Sequence, residues 1–113
     1  MNSQKKKLNV IPPTLRDKKR YVLFSFSIVP QGVFSKQDFF RIILKNHEKI
    51  YGLFNSISAN LNLINFDSNK KEILIRVNKD NLDDFITGLF FLKDQFGLIV
   101  IKNISQTIKK ASK

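Results

Sequence analysis

Apolar positions along this chain switch between two periods. The run "YVLFSFSIV", 21–29, alternates: Val22, Phe24, Phe26 and Ile28 fall on one side, and Tyr21, Leu23, Ser25 and Ser27 on the other. A period of two predicts a strand with one buried face, and "PQG" after it predicts a turn. In "SKQDFFRIILKNHEKIYGLFNSI", 35–57, the period becomes helical. Phe39, Ile43, Ile50, Phe54 and Ile57 form one stripe, with Phe40, Leu44 and Tyr51 beside it and Lys36, Arg41, Lys45 and Lys49 opposite. Ser35 is a good N-cap, and Asp38 three residues on makes a weak form of the capping box. The expected element is an amphipathic helix of roughly five turns, weakened near its end by roughly 1 kcal/mol at Gly52.

The second half repeats the logic. "LNLINF", 61–66, reads as a strand, "DSNKK" as a turn, and "EILIRV", 72–77, as a strand with Ile73, Ile75 and Val77 on one face and Glu72, Leu74 and Arg76 on the other. The two strands form a hairpin. Asn78 or Asp80 then caps a second helix whose apolar face is Leu82, Phe85, Ile86, Leu89, Leu92 and Phe96, with Gly97 suited to the C′ position. "LIVIKNI", 98–104, is a fourth strand. The order β-α-β-β-α-β predicts an α+β, ferredoxin-like (RRM-like) sandwich: a four-stranded, mostly antiparallel sheet, two helices on one face, the other face open. Residues 1–11 are expected to be a mobile basic arm, 12–104 one domain entered through the extended Pro12–Pro13 segment, and 105–113 a basic tail.

Charge changes this picture from a fold to a function class. The 113 residues carry a net charge of +11. Residues 1–20 hold Lys5, Lys6, Lys7, Arg16, Lys18, Lys19 and Arg20 against Asp17 alone, and residues 101–113 hold Lys102, Lys109, Lys110 and Lys113 with no acid. Residues 21–100 are almost neutral, with nine basic and eight acidic side chains. Polycationic ends on a neutral body attract a polyanion, and nucleic acid is the usual one. The N-terminal basic run precedes no apolar h-region and the longest apolar run is "GLFFL", so the expectation is a soluble intracellular protein. There is no cysteine, hence no disulfide framework or thiolate metal site.

Catalytic chemistry is not expected. His47, the one histidine, lies between Ile43 and Ile50 on the first helix and reads as packing at the core edge. Its neighbour Glu48 points elsewhere on a helix, so the two are not a dyad. Asp80, Asp83 and Asp84 share one face in the first turn of the second helix, where carboxylates favour the helix dipole. No protein-held metal or cofactor is expected. The open sheet lacks the aromatic and glycine signature of RRM base readout in "EILIRV", which leaves phosphate contact by Lys and Arg. That face, with Leu23 and Leu74 near Tyr21, serves a protein partner equally well on this reading.

Two segments carry a resemblance. "PPTLRDKKRYV", 12–22, and "SQTIKK", 105–110, resemble the flanking motifs of the archaeal ribonuclease P protein component 2 family, which is shared with a small eukaryotic RNase P/MRP subunit. Gln106 stands where that family has glycine, which removes a positive-φ turn before Thr107 from the expectation. The resemblance implies a subunit of the endoribonuclease that removes the 5′ leader from precursor tRNA, without catalytic residues of its own. It implies ribonuclease P RNA and protein component 3 as partners, the latter in a heterotetramer with two copies of each, and Mg²⁺ held mainly by RNA. It also implies a cytoplasmic place in archaea, or a nuclear or nucleolar one in eukaryotes. Arg16, Lys18, Lys19, Arg20, Lys109 and Lys110 are the expected RNA contacts, and the two basic segments are expected to converge on one surface. Read without the resemblance, the residues fit two alternatives: a general RNA-binding or ribosome-associated basic protein, and a protein-interaction adaptor with basic tails.

Overall fold

Alternation in the first strand organises the structure. The computed structural model describes residues 18–33 and 35–107; the expected N-terminal arm, the Pro12–Pro13 entry segment and the end of the C-terminal tail lie outside them. Strand β1 is Lys19–Phe26, followed by helices α1 (Lys36–Tyr51) and α2 (Leu53–Ala59). The hairpin β2 (Asn62–Asp67) and β3 (Glu72–Asn78) comes next. A 3₁₀ turn at Lys79–Asn81, α3 (Leu82–Leu89), a second 3₁₀ turn at Phe90–Leu92, α4 (Lys93–Phe96) and β4 (Ile99–Ser105) complete the chain. The sheet order is β2-β3-β1-β4, and every neighbouring pair is antiparallel. This is the predicted α+β, ferredoxin-like arrangement.

The core lies between the sheet and the helices. Val22, Phe24 and Phe26 of β1 and Ile73, Ile75 and Val77 of β3 are buried, as their alternation requires. Helices α1 and α3 bring Phe39, Ile43, Phe85 and Leu89 against them. Phe26, Phe39, Phe66 and Phe96 form one aromatic cluster, with Phe39 4.8 Å from Phe66 and 5.1 Å from Phe26 between ring centroids. Ser35 caps α1 through the full capping box with Asp38.

Four expectations need correction. The first strand stops at Phe26 rather than Val29, and Ile28 is 52% exposed although it continues the alternation. The Ser27 and Ile28 N–H groups both donate to the Phe96 carbonyl, at 3.0 and 2.9 Å, so the backbone has left the sheet. The single five-turn helix is two helices, because Gly52 takes φ 91° and ψ 169°, a conformation outside the helical region. The turn redirects α2, so Phe54 and Ile57, expected in the apolar stripe, are 87% and 65% exposed. The second predicted helix is likewise segmented, and Asn78 offers its 3₁₀ turn no side-chain cap. Finally, β4 is bulged. Leu23 pairs with Asn103 and Phe24 with Ile101, leaving Lys102 as the extra residue.

A polar network ties the helical layer together. His47 is 2% exposed, further inside than a core-edge residue. Its Nε2 lies 2.9 Å from Asn55 Oδ1, an acceptor that also takes a hydrogen bond from Asn81 Nδ2 at 3.3 Å. Asn55 Nδ2 donates to Asp84 Oδ2 at 3.2 Å, and Ser58 Oγ to Asn81 Oδ1 at 3.3 Å. One amide thus bridges α1, α2, the 3₁₀ turn and α3. Asn55→Ala strands two buried donors and should lower stability by about 1–3 kcal/mol. The check is a shift of the urea midpoint at unchanged m-value.

Gly97 joins α4 to β4 at φ 74°, ψ −142°, a region that L side chains avoid. A Cβ there would overlap Ser27 Oγ and sit 2.8 Å from Ile28 Cγ1, whereas one on Gly52 would meet nothing within 4 Å. Gly97→Ala therefore combines backbone strain with overpacking and should cost about 2–4 kcal/mol. Gly52→Ala carries the strain alone, about 1–2 kcal/mol. Thermal melts of both variants should rank them in that order.

Candidate nucleic-acid interface

The predicted basic contacts divide at the head of β1. Lys18, Lys19 and Arg20 are described; Arg16, Lys109 and Lys110 lie outside the described residues. The three described cations do not form a single grip. In a strand, neighbours point to opposite faces. Lys19 shares the open face with Tyr21, while Arg20 shares the helix-bearing face with Val22 and pairs in register with Val77. Lys18 precedes the strand; its Nζ lies 3.3 Å from Asp80 Oδ2, an exposed ion pair of small energetic weight. Lys19 Nζ donates to Asn78 Oδ1 at 3.3 Å, and Arg20 Nη1 to the Lys19 carbonyl at 2.8 Å.

What the fold does bring together is the two roots. Tyr21 stands directly opposite Ser105 in the β1–β4 ladder. The segment entering through Lys18 and the segment leaving through Gln106 therefore start from adjacent positions at one end of the sheet, although they are far apart in sequence. Gln106 is not among the described residues with positive φ, which are Asn60 and Lys71 besides three glycines.

The open face has a polarity of its own. One row across it reads Asn62, Arg76, Tyr21, Ser105, and the next Asn65, Leu74, Leu23, Asn103. Beyond them come Asp67, Glu72 and Ser25. Both carboxylates at that far end are engaged. Asp67 Oδ1 accepts from the Asn69 and Lys70 N–H groups of the hairpin turn, at 3.0 and 3.1 Å. Glu72 Oε2 is 3.1 Å from Lys102 Nζ, which the β4 bulge places over the sheet. A depression of about 100 Å³ lies among Leu23, Asn65, Asp67, Lys70, Glu72 and Leu74. Leu74 faces this side yet is only 2% exposed, whereas Val100, opposite Ser25 at the far end, is 42% exposed. Arg76 was legible in the sequence only as an outward residue of "EILIRV". Its place beside Tyr21 depends on the β1–β3 register, which no local pattern encodes.

His47 Nε2 faces a neutral amide inside the helical layer, and its Nδ1 is buried with no hydrogen-bond partner among the described residues. Tyr51, with its ring 4.9 Å from that of His47, has its pKa pushed above the ordinary value by burial and then by the Asp84 carboxylate. The three acids expected in one helical turn are split: Asp80 belongs to the 3₁₀ turn and pairs with Lys18, and only Asp83 and Asp84 lie in the first turn of α3. No cluster of three or more His, Cys, Asp or Glu suited to a metal occurs among the described residues, and no helix among them is long and apolar enough to cross a membrane.

Comparison with known proteins places this arrangement. The chain is 31% identical over 108 residues to ribonuclease P protein component 2 of Pyrococcus horikoshii, covering 93% of this chain and 88% of that one. It is 31% identical over 103 residues to the protein of that name from Pyrococcus furiosus, covering 88% and 84%. With the namesake from Methanococcus aeolicus it shares 30% over 108 residues, covering 92% and 76%. A profile of the Rpp14/Pop5 family matches residues 20–113, and the chain belongs to that family.

Proposed function

We propose that this chain is a protein subunit of ribonuclease P, supporting the RNA that removes the 5′ leader from precursor tRNA. The observation that carries the reading is near-full-length similarity to proteins named as component 2 of that enzyme. The physical role follows from the charge. Folding a catalytic RNA brings phosphates close together, and each Lys or Arg that contacts one releases a condensed counterion. Arg16, Lys18, Lys19, Arg20, Lys109 and Lys110 are the proposed contacts. Their two segments are rooted side by side at the Tyr21–Ser105 pair, which supports their action on one stretch of RNA. Mg²⁺ that activates water is assigned to RNA phosphates. The chain pairs with protein component 3 in a complex with two copies of each, in the archaeal cytoplasm or in the nucleus or nucleolus of a eukaryote.

Six neutralised phosphates give a slope of log K against log salt of about −4 to −5. The Arg16→Ala, Lys19→Ala, Lys110→Ala triple variant should flatten the slope by about 2 to 3. In a reconstituted enzyme it should also raise the Mg²⁺ needed for precursor cleavage. Unchanged slope and unchanged cleavage in that variant would remove the basis for this assignment.

A further inference from the structure

We propose that the Tyr21–Arg76 end of the open sheet face docks an unpaired segment of the same RNA that the terminal segments bind. The inference rests on the ribonuclease P reading and adds a second, structured contact to it. Tyr21 and Arg76 are directly opposite each other on β1 and β3, with Asn62 and Ser105 completing the row. Lys19 lies two residues from Tyr21 on the same face, and its Nζ donates to a neutral amide, Asn78 Oδ1.

Arg76 carries the argument. Its Nε is buried and meets no acceptor among the described residues. A buried donor without a partner is costly, so an incoming acceptor is favoured there. Once the side chain turns outward, the edge of the guanidinium formed by Nε and one Nη is a two-toothed fork that matches two phosphate oxygens. No carboxylate stands in its row, and the acids of this face, Asp67 and Glu72, are at the other end and already engaged. The Tyr21 ring beside it supplies a surface on which any base can stack. With one aromatic instead of the RRM set, this is a platform rather than a device for reading sequence.

Two features select RNA over protein as the occupant. Among the described residues the row holds Arg76 and no carboxylate, and it begins where both basic segments leave the sheet. The Tyr21 row is also polar, reading Asn62, Arg76, Tyr21 and Ser105, and Leu74 in the next row is covered; the exposed Val100 lies at the far end of the face, opposite Ser25. An unpaired strand fits better than a duplex, because stacking on Tyr21 needs a base free of its helix.

The test uses the full chain, which has no cysteine. Asn65→Cys, an exposed position on the face, gives a single thiol for maleimide labelling. Octauridylate should slow that labelling at least about fivefold. Tyr21→Leu and Arg76→Met keep bulk and stem; each should weaken octauridylate binding by about tenfold at an unchanged melting temperature. 4-Thiouridine placed in unpaired segments of ribonuclease P RNA should cross-link to β1 or β3 in the reconstituted particle. Unprotected Cys labelling, unchanged affinities, or cross-links from precursor tRNA alone would overturn the proposal. Protection of the thiol by the particle's protein subunits without RNA would overturn it too, and give the face to protein. Should a variant unfold, labelling and cross-linking of the otherwise unaltered chain still decide. Failure of these tests in a chain that keeps its steep salt dependence on ribonuclease P RNA sinks this inference alone. Failure to prefer that RNA over a plain duplex sinks the subunit reading instead.

Discussion

Strand β1 is hydrogen-bonded along both edges, to β3 on one side and β4 on the other, and this double pairing is the constraint from which the rest follows. Because side chains alternate, a slip of one residue in either ladder would move Phe24 and Phe26 from the core to the open face and bring Leu23 and Tyr21 inward. Burial of the phenylalanines therefore fixes register. Register in turn sets Tyr21 against Arg76 and Ser105, and so decides which cations can share a ligand. Core packing and the placing of Arg76 beside Tyr21 are thus linked through one geometric fact rather than through a common set of residues.

How far the sequence carries the fold depends on whether a feature is local. The alternation of β1 and β3, the Ser35–Asp38 cap and the Gly97 stop are each encoded in a few adjacent residues, and each stands where those residues predict. The departures come from competition between local preference and distant partners. Ile28 continues the alternation of β1, but two N–H groups at this point are taken by the Phe96 carbonyl, a partner 69 and 68 residues away in the chain. Helical periodicity runs through Gly52 to Ile57, yet the backbone there adopts a conformation open to glycine, and the stripe is redirected outward. The β4 bulge is the same kind of event: it is visible only against β1, and it carries Lys102 to Glu72.

The candidate site shows the same division. A run of cations at 18–20 reads in sequence as one patch, but strand geometry sends Lys19 and Arg20 to opposite faces and Lys18 to Asp80. Conversely, the adjacency of the two roots is a long-range property, and the fold supplies it through the Tyr21–Ser105 ladder position. The flanking motifs were recognisable because they are short and contiguous. Arg76 was not, because nothing in "EILIRV" distinguishes a solvated arginine from one whose Nε lies buried beside a tyrosine.

Rooting matters because of chain entropy and screening. Arg16 is five residues before Tyr21 and Lys109 four after Ser105, so at full extension they reach about 18 and 14 Å from that pair. Charges on unconnected tails would meet a polyanion as independent weak contacts. Tethered to one point within about two Debye lengths, they would act at high effective concentration once a first contact formed. A rigid sheet end adds fixed donors that lose little freedom on binding. A nearly neutral body with charged segments rooted at one end of the sheet would concentrate affinity for a polyanion on one surface; α2 reaches the same end, where its Ser58 carbonyl accepts from Asn78 Nδ2.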